Sequence, residues 1–289
     1  MADVEMPPAE LARYHRHFAA GLWETIRPVP GARRHQWGPP GRAVLFTSGF
    51  PASEANLLVV GDGDGDLGAI FDWAVETLGP RIPWRLIFTG ADPAWIDRVA
   101  SARGLVQGGT EPGMVLDPIP RSDPPPASLD LRVVSTEGEL DGWRRAWCRS
   151  FRIPASVSRL LYGRIPQPDP AGEGETRLVV GYEADRPVVC SAAFVSDGIV
   201  GISSVGTVPS ARRRGYGAAA TVRAAAEGAT LGGRSAFLLA SPMGYPVYAK
   251  LGFRTFHQYP SWRVPMGLIQ GLRALWRVHR LLAAARSAG

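Results

Sequence analysis

Residues Val208 to Ala218, VPSARRRGYGA, place three arginines and two glycines between an apolar run and an alanine-rich one. The run before them, IVGISSVGTV from Ile199, reads as a strand, and AAATVRAAAEGA after them reads as a helix. A strand, a basic glycine-containing turn and a helix together make an anion site. The first N–H groups of a helix have no intrahelical partner, and the macrodipole puts partial positive charge there. Arginine at that end opposes the dipole by roughly 0.3–1 kcal/mol each. Arg212, Arg213 and Arg214 make sense there if an anion sits among them, and a pyrophosphate would fit. Gly215 and Gly217 lack a Cβ and let backbone approach a ligand closely. The candidate site therefore runs from Val208 through Arg212, Arg213, Arg214, Gly215, Tyr216 and Gly217 to Ala218.

Two other readings of glycine-rich stretches fail on spacing. GYGAAA approximates a dinucleotide-binding fingerprint, which needs a carboxylate about 20 residues on, at the end of the next strand. Here that strand is SAFLLAS, Ser235 to Ser241, and it ends without one. GDGDGD at 61–66 invites a calcium loop, but the template needs Gly at Leu67 and Glu at Trp73. A polar turn remains, and the turn at Val208 keeps a solvated basic loop as its bland alternative.

With a second motif the chain resembles a known family. Arg212, Gly215, Gly217 and Ala218 match the Q/R-x-x-G-x-G/A signature of the GNAT superfamily of N-acetyltransferases. Tyr248 to Phe253, YAKLGF, matches that superfamily's Y-x-x-x-G-F element at the expected distance downstream. The resemblance covers about residues 129–265. It implies acetyl-CoA as donor, its pyrophosphate at the Arg212–Ala218 turn and its pantetheine along the strand ending at Thr207 and Val208. It also implies a mixed sheet flanked by helices, and an amine acceptor, either a small molecule or a protein. No metal is implied.

Acetyl transfer to an amine sets two proton problems. A lysine-like amine has a pKa of ~10.4, so its neutral form at pH 7 costs about 4–5 kcal/mol. The departing thiolate, with a thiol pKa of ~8.5, leaves better if it is protonated as it goes. Tyr245 and Tyr248 lie three apart, and the residues alone leave both open. Motif position picks Tyr248 as the acid. No Asp or Glu lies in Ile199–Val208, where the family often has one, so the sequence does not give the base; a chain of waters held by Ser203 and Ser204 is one option. Ser241 stands where many members of the family have an asparagine, and can still hydrogen-bond the cofactor. No cysteine or serine sits in an activated nucleophile motif, so direct attack in a ternary complex is expected. A CoA-binding sensor that has lost catalysis is the alternative.

The whole chain bounds these readings. Its 289 residues, 45% hydrophobic, allow two modest domains. No apolar run reaches the ~18 residues of a membrane span, and the first residues show no secretory pattern. Cys148 and Cys190 are too few for a disulfide framework or zinc site and suit a reducing cytoplasm. Net charge is +6, yet Lys250 is the only lysine among 32 basic residues. The arginines are scattered with no basic-aromatic stripe, which argues against a nucleic-acid partner. A homodimer is left open.

In chain order, residues 8–27 read as a helix on the spacing of Leu11, Tyr14, Phe18, Leu22 and Ile26. Strands are expected at Ala43–Thr47, Ala55–Val60, Trp84–Thr89 and Met114–Leu116, and helices at Leu67–Leu78 and Pro93–Arg103. RLIFTGADPAWIDRVASARGLV from Arg85 parallels AFLLASPMGYPVYAKLGFRT from Ala236, each with a helix ending at Gly before an apolar residue. Residues 1–116 therefore read as a degenerate copy of the same fold without the Arg/Gly turn, with an unrelated α/β domain as the alternative. Residues 117–128, DPIPRSDPPPAS, read as an extended linker, and 129–265 as the competent domain. Within it, helices are expected at Glu137–Phe151 and Ser156–Tyr162, and strands at Leu131–Ser135, Thr176–Tyr182, Pro187–Val195 and Ile199–Val208. Residues 266–289 read as an appended amphipathic helix.

Overall fold

The structure, a computed structural model, describes residues 3–50, 53–62, 66–79, 82–120, 125–168 and 172–265. The appended helix at 266–289 and part of GDGDGD lie outside the described residues. The chain forms two compact units, one of Met1–Glu24 with Pro112–His257, the other of Thr25–Glu111 with the residues from Gln258. This differs from a linear division at the linker. The first 24 residues group with the second half, and strands β5 (Val106–Leu116) and β11 (Arg254–Arg263) contribute residues to both units.

The Thr25–Glu111 unit contains β1 (Arg33–Trp37), β2 (Ala43–Thr47), β3 (Leu57–Val60), helix α2 (Leu67–Leu78), β4 (Arg85–Phe88) and α3 (Pro93–Ala102). Strands β1, β2 and β3 pair antiparallel in turn, and β3 pairs parallel with β4 across the α2 crossover. Ser261–Arg263 of β11 pairs antiparallel with β4. Its core gathers Leu45, Leu58, Phe71, Leu86, Phe88 and Trp262, and the Trp262 indole N–H donates to Asp97 at 2.7 Å.

The other unit contains α1 (Pro8–Ile26, to Glu24), β6 (Asp130–Val133), α4 (Glu137–Phe151), α5 (Ala155–Leu161), β7 (Glu175–Glu183), β8 (Arg186–Ser196) and β9 (Ile199–Thr207). After β9 come α6 (Tyr216–Thr230), β10 (Ser235–Leu239) and α7 (Tyr245–Lys250). Strands β6 to β9 form an antiparallel meander. β9 pairs parallel with β10 across the α6 crossover, and β10 pairs antiparallel with Gly113–Leu116 of β5. The order β1-β2-β3-α2-β4-α3-β5 thus recurs as β7-β8-β9-α6-β10-α7-β11. The parallel passages read in the sequence form the same elements. Gly104 and Gly252 take φ of 75° and 92° at the two helix ends. Leu105 and Phe253 then donate N–H to Ala100 and Tyr248 at 3.0 Å, the left-handed helix stop expected of that composition.

Local chemistry sets the elements that carry the site. α4 starts in a capping box, in which Thr136 accepts from Glu139 N–H at 3.2 Å and the Glu139 carboxylate takes Thr136 N–H at 3.0 Å. α6 turns Ala220, Ala224, Ala225 and Gly228 inward, and a Cβ on Gly228 would strike Val200. Small residues let this helix lie close on β9. α1 is held by Tyr14, whose hydroxyl meets Ser235 at 2.8 Å, and by His17, stacked on Phe194 at 5.3 Å with Nδ1 2.7 Å from Ser196. A chain of 129–265 alone would lack both α1 and β5. No described helix is long and apolar enough to cross a membrane.

Burial pushes His17 down to about 4, and burial with the neighbouring His257 pushes His15 down to about 3. The folded value of His17 lies below the unfolded value near ~6.5, so its contribution is complete above that pH. It is lost as pH falls, by about 3 kcal/mol on reaching pH 4. Urea unfolding of the wild type and His17→Gln between pH 7 and 4.5 should show the variant losing stability more gently. Parallel pH profiles would show that His17 is not held neutral.

Candidate functional site

β9 ends at Thr207, and the buried Val208 closes it by donating N–H to Val188 at 2.9 Å. A short 3-10 turn, Pro209–Ala211, leads to Arg212. Arg213 then takes φ 62° and Gly215 φ 77°. Left-handed backbone is uncommon for a residue with a Cβ, so the turn is held at Arg213 against its preference. α6 starts after Gly215 with no side chain capping its first turn. The first intrahelical bond is Ala219 N–H to Gly215 at 3.0 Å. The N–H groups of Tyr216, Gly217 and Ala218 make no hydrogen bond among the described residues and lie at the positive end of the helix dipole.

At the same step of the other unit, between β3 and α2, the chemistry is opposite. Asp66 caps α2, accepting from Gly68 N–H at 2.7 Å. Asp62 takes Ala91 N–H on both oxygens, at 2.9 and 3.0 Å. A carboxylate of the chain itself fills the place that α6 leaves open.

The three arginines separate into different roles. Arg212 donates from Nε to Thr207 O at 3.1 Å and from its terminal nitrogen to Ser150 O at 3.4 Å, bracing the turn against α4. Arg214 is bidentate on Glu183, and its guanidinium lies 4.9 Å from the Tyr216 ring. Tyr216 donates to Glu183 at 2.7 Å and meets Ser128 at 2.8 Å. Arg214 and Tyr216 hold the Glu183 carboxyl below its usual range. Arg213 is exposed and makes no hydrogen bond or ion pair among the described residues. Glu183 and Ser128 were not legible beforehand: Glu183 sits 31 residues from Arg214, and nothing in the sequence pairs them.

Beside this turn the strand is open. β9 pairs with β10 only at Ile199–Gly201 against Ser235–Phe237, although β9 continues to Thr207. On its other edge the β8 register shifts between Cys190 and Ala192. Ser204 takes φ 55° at that irregularity. Ile202 and Val205 face the cluster of α6, whereas the Ser204 hydroxyl reaches Tyr162 Oη at 3.4 Å and Gly206 lies against Ser150 and Phe151.

Tyr248 belongs to that α6 cluster, packed on Phe253 at 5.9 Å. Burial pushes its phenol up to about 12, and its hydroxyl makes no hydrogen bond among the described residues. Tyr245 turns outward, its hydroxyl 3.5 Å from Thr255. The two tyrosines thus differ in surroundings, Tyr248 buried and Tyr245 partly exposed. Ser241 is exposed, and its hydroxyl accepts Gly244 N–H at 3.1 Å. Next to Gly215 a cleft of about 420 Å³ runs along α6, walled by Leu116, Ile119, Pro126, Val222 and Lys250. No group of His, Cys, Asp and Glu suited to a metal ion occurs among the described residues.

A GCN5-related N-acetyltransferase from Kribbella flavida superposes with a TM-score of 0.61 and 21% identity, over 88% of this chain and 96% of its own. The fold is that of the GNAT N-acetyltransferases. Within it, a GCN5-related N-acetyltransferase from Sphaerobacter thermophilus gives a TM-score of 0.51 at 16% identity, over 91% and 96% of the two chains. A functionally unknown conserved protein from Staphylococcus epidermidis ATCC 12228 gives 0.57 at 13%, over 81% and 94%. No family model matches the sequence, and no curated protein matches it. The GNAT fold therefore rests on backbone likeness, and the site on the residues of this chain.

The capping contrast has a measurable consequence. Asp66→Ala removes the only side-chain cap that the structure gives α2 and should lower unfolding free energy by about 1 kcal/mol. Gly215→Ala forces a Cβ onto left-handed backbone and should also destabilise, by about 1 kcal/mol. Chemical denaturation of both variants checks this, and an unchanged midpoint for Asp66→Ala would show that α2 is not held by its cap.

Proposed function

We propose that the unit containing Pro112–His257 transfers an acetyl group from acetyl-CoA to an amine by direct attack, with donor and acceptor held together. The observation carrying this reading is the uncapped N-terminus of α6, set at the end of a strand that pairs with β10 over only Ile199–Gly201. The residues present fit a pyrophosphate. The Tyr216–Ala218 N–H groups have no internal anion, Arg213 is an uncommitted cation, and Thr207 Oγ1 stands 3.3 Å from where a Gly217 Cβ would be. Glycine at 217 keeps the turn closed on Thr207 with its backbone open. Arg212 braces the turn and Arg214 anchors it to Glu183, so Arg213 is the arginine that meets phosphate. The strand end at Thr207 and Val208 would line the pantetheine arm, with Ala218 beside it. Ser241 would contact the donor through its hydroxyl.

Acetyl-CoA supplies the acetyl group on a thiolate leaving group. Tyr248 holds a proton at Oη for that sulfur. A phenol at about 12 against a thiol of ~8.5 in water would make full proton transfer uphill by about 5 kcal/mol. Burial narrows the gap, because the desolvation that raises the phenol also raises a thiol beside it. The buried Cys190 thiol of this chain is pushed up for the same reason. Tyr248 thus acts by a strong hydrogen bond that shifts toward the sulfur as charge develops. Cys190, neutral and hydrogen-bonded at 3.3 Å to Ser204 O, has the wrong character for a nucleophile, which supports direct attack. Ser203 and Ser204 stand on the acceptor side, where water can carry the amine proton away. The first half, whose equivalent helix is capped by Asp66, would take no donor, and its role is that of a degenerate copy.

Tyr248→Phe removes one oxygen and keeps the ring against Phe253. Its kcat should fall about 10²-fold, the lower end of general-acid effects, with acetyl-CoA affinity near wild type. Tyr245→Phe should leave kcat near wild type. Stopped-assay kcat for both, with calorimetric acetyl-CoA binding, is the test. Full turnover by Tyr248→Phe when chemistry is rate-limiting would make it a packing residue. Acetyl-CoA binding with no turnover over a broad amine panel would leave a sensor.

A further inference from the structure

The α4/α5 side of the open half of β9 is an aromatic ladder. Trp143 is fully buried, and its indole N–H donates at 2.8 Å to Ser191 O, on β8 where the register shifts. Trp147 stacks on Trp143 at 6.0 Å with 16° between the planes. Tyr162 wedges against both, at 4.5 and 5.5 Å, and Phe151 continues the series on Trp147 at 5.9 Å. Tyr162 is fixed from its backbone, since Arg144 Nε donates to Tyr162 O at 2.8 Å. The ladder ends at the surface in Phe151, 43% exposed, whose ring lies over Gly206. An outward phenylalanine at the end of a rigid stack is a ready apolar face for a ligand.

The chain along this wall is rich in arginine, of which Arg144 is paired with Asp141 at 2.7 Å. Residues 144–164 contain six arginines and no Asp or Glu. Arg145, Arg149, Arg152, Arg159 and Arg164 are exposed. Their summed field repels polycations and draws anions.

We propose that the acceptor is a monoamine carrying an aromatic or large apolar body and a carboxylate, as a hydrophobic amino acid does. This rests on the acetyl-transfer reading above. The apolar body lies on Phe151 and Tyr162, and the carboxylate meets Arg149 and Arg152 at the end of α4. The amine is placed at the Ser204–Tyr162 hydroxyl pair, where either oxygen accepts an amine N–H. In the transfer the amine nitrogen forms the new C–N bond, the C–S bond breaks with its electron pair to sulfur, and one proton leaves the amine as the thiol gains one.

Three probes separate the possibilities: phenylalanine, 2-phenylethylamine, which lacks the carboxylate, and spermidine, a polycation. With acetyl-CoA saturating, kcat/KM should rank phenylalanine first, 2-phenylethylamine second and spermidine last. Phe151→Ala should raise KM for phenylalanine about three- to tenfold while leaving the acetyl-CoA Kd unchanged. The double variant Arg149→Gln, Arg152→Gln should narrow the preference for phenylalanine over 2-phenylethylamine. Spermidine ranking first, or Phe151→Ala leaving every KM unchanged, would overturn the acceptor class alone. So would acetyl-CoA binding with none of the three amines acetylated. If acetyl-CoA does not bind in calorimetry, the acetyl-transfer reading falls, and this inference with it.

Discussion

The structure turns on the start of α6, a helix whose first turn no side chain caps. Helix N-termini in proteins are normally satisfied by a side-chain oxygen, and α2 and α4 of this chain follow that rule through Asp66 and Thr136. α5, α6 and α7 start without a side-chain cap, but of these α6 alone has three arginines immediately before it, with Gly215 at its start. The arginines would add repulsion if all were free. Glu183 pairs with Arg214, two carbonyl oxygens take Arg212, and Arg213 makes no hydrogen bond or ion pair among the described residues. In the proposed function the Arg213 guanidinium and the first N–H groups of α6 meet the donor's pyrophosphate.

The second constraint is β9, which serves two faces. Its short ladder to β10 frees an edge, and the irregularity at Ser204 sends Val205 toward α6 but the Ser204 hydroxyl toward Tyr162. Backbone in the left-handed region at a serine costs on the order of 1 kcal/mol or more. The Trp143 indole, bonded to Ser191 O, and the Cys190 contact with Ser204 O hold it in place. Donor-side and acceptor-side groups can thus meet across a single strand.

Much of this was legible in the sequence because it is local. α4 from Glu137 to Phe151 and the turn before α6 follow from capping, periodicity and glycine placement. The paired passages around Gly104 and Gly252 show as composition because a left-handed helix stop needs glycine. What stayed hidden is long-range. β1, RRHQW, is polar and largely exposed, and exists because Arg33–Trp37 pairs with Ala43–Thr47. β5 runs through QGGTEPG, a stretch that reads as a loop, and only Met114–Leu116 could be read as strand. The grouping of the first 24 residues with the second half rests on contacts such as Tyr14 to Ser235, 221 positions apart. The division of labour among the three arginines needed Glu183, Thr207 and Ser150 in place. The orientation that separates Tyr248 from Tyr245 needed α7 folded against Phe253.

The central claim is that α6 takes the donor's pyrophosphate at its open end while α2 is filled by its own carboxylate. Backbone amide chemical shifts during acetyl-CoA titration test this most directly. The account expects large shifts for Tyr216, Gly217 and Ala218, saturating at one equivalent per chain, with Gly68 and its neighbours on α2 unmoved. Shifts of similar size at Gly68, a second equivalent bound, or no movement at Gly217 would contradict it.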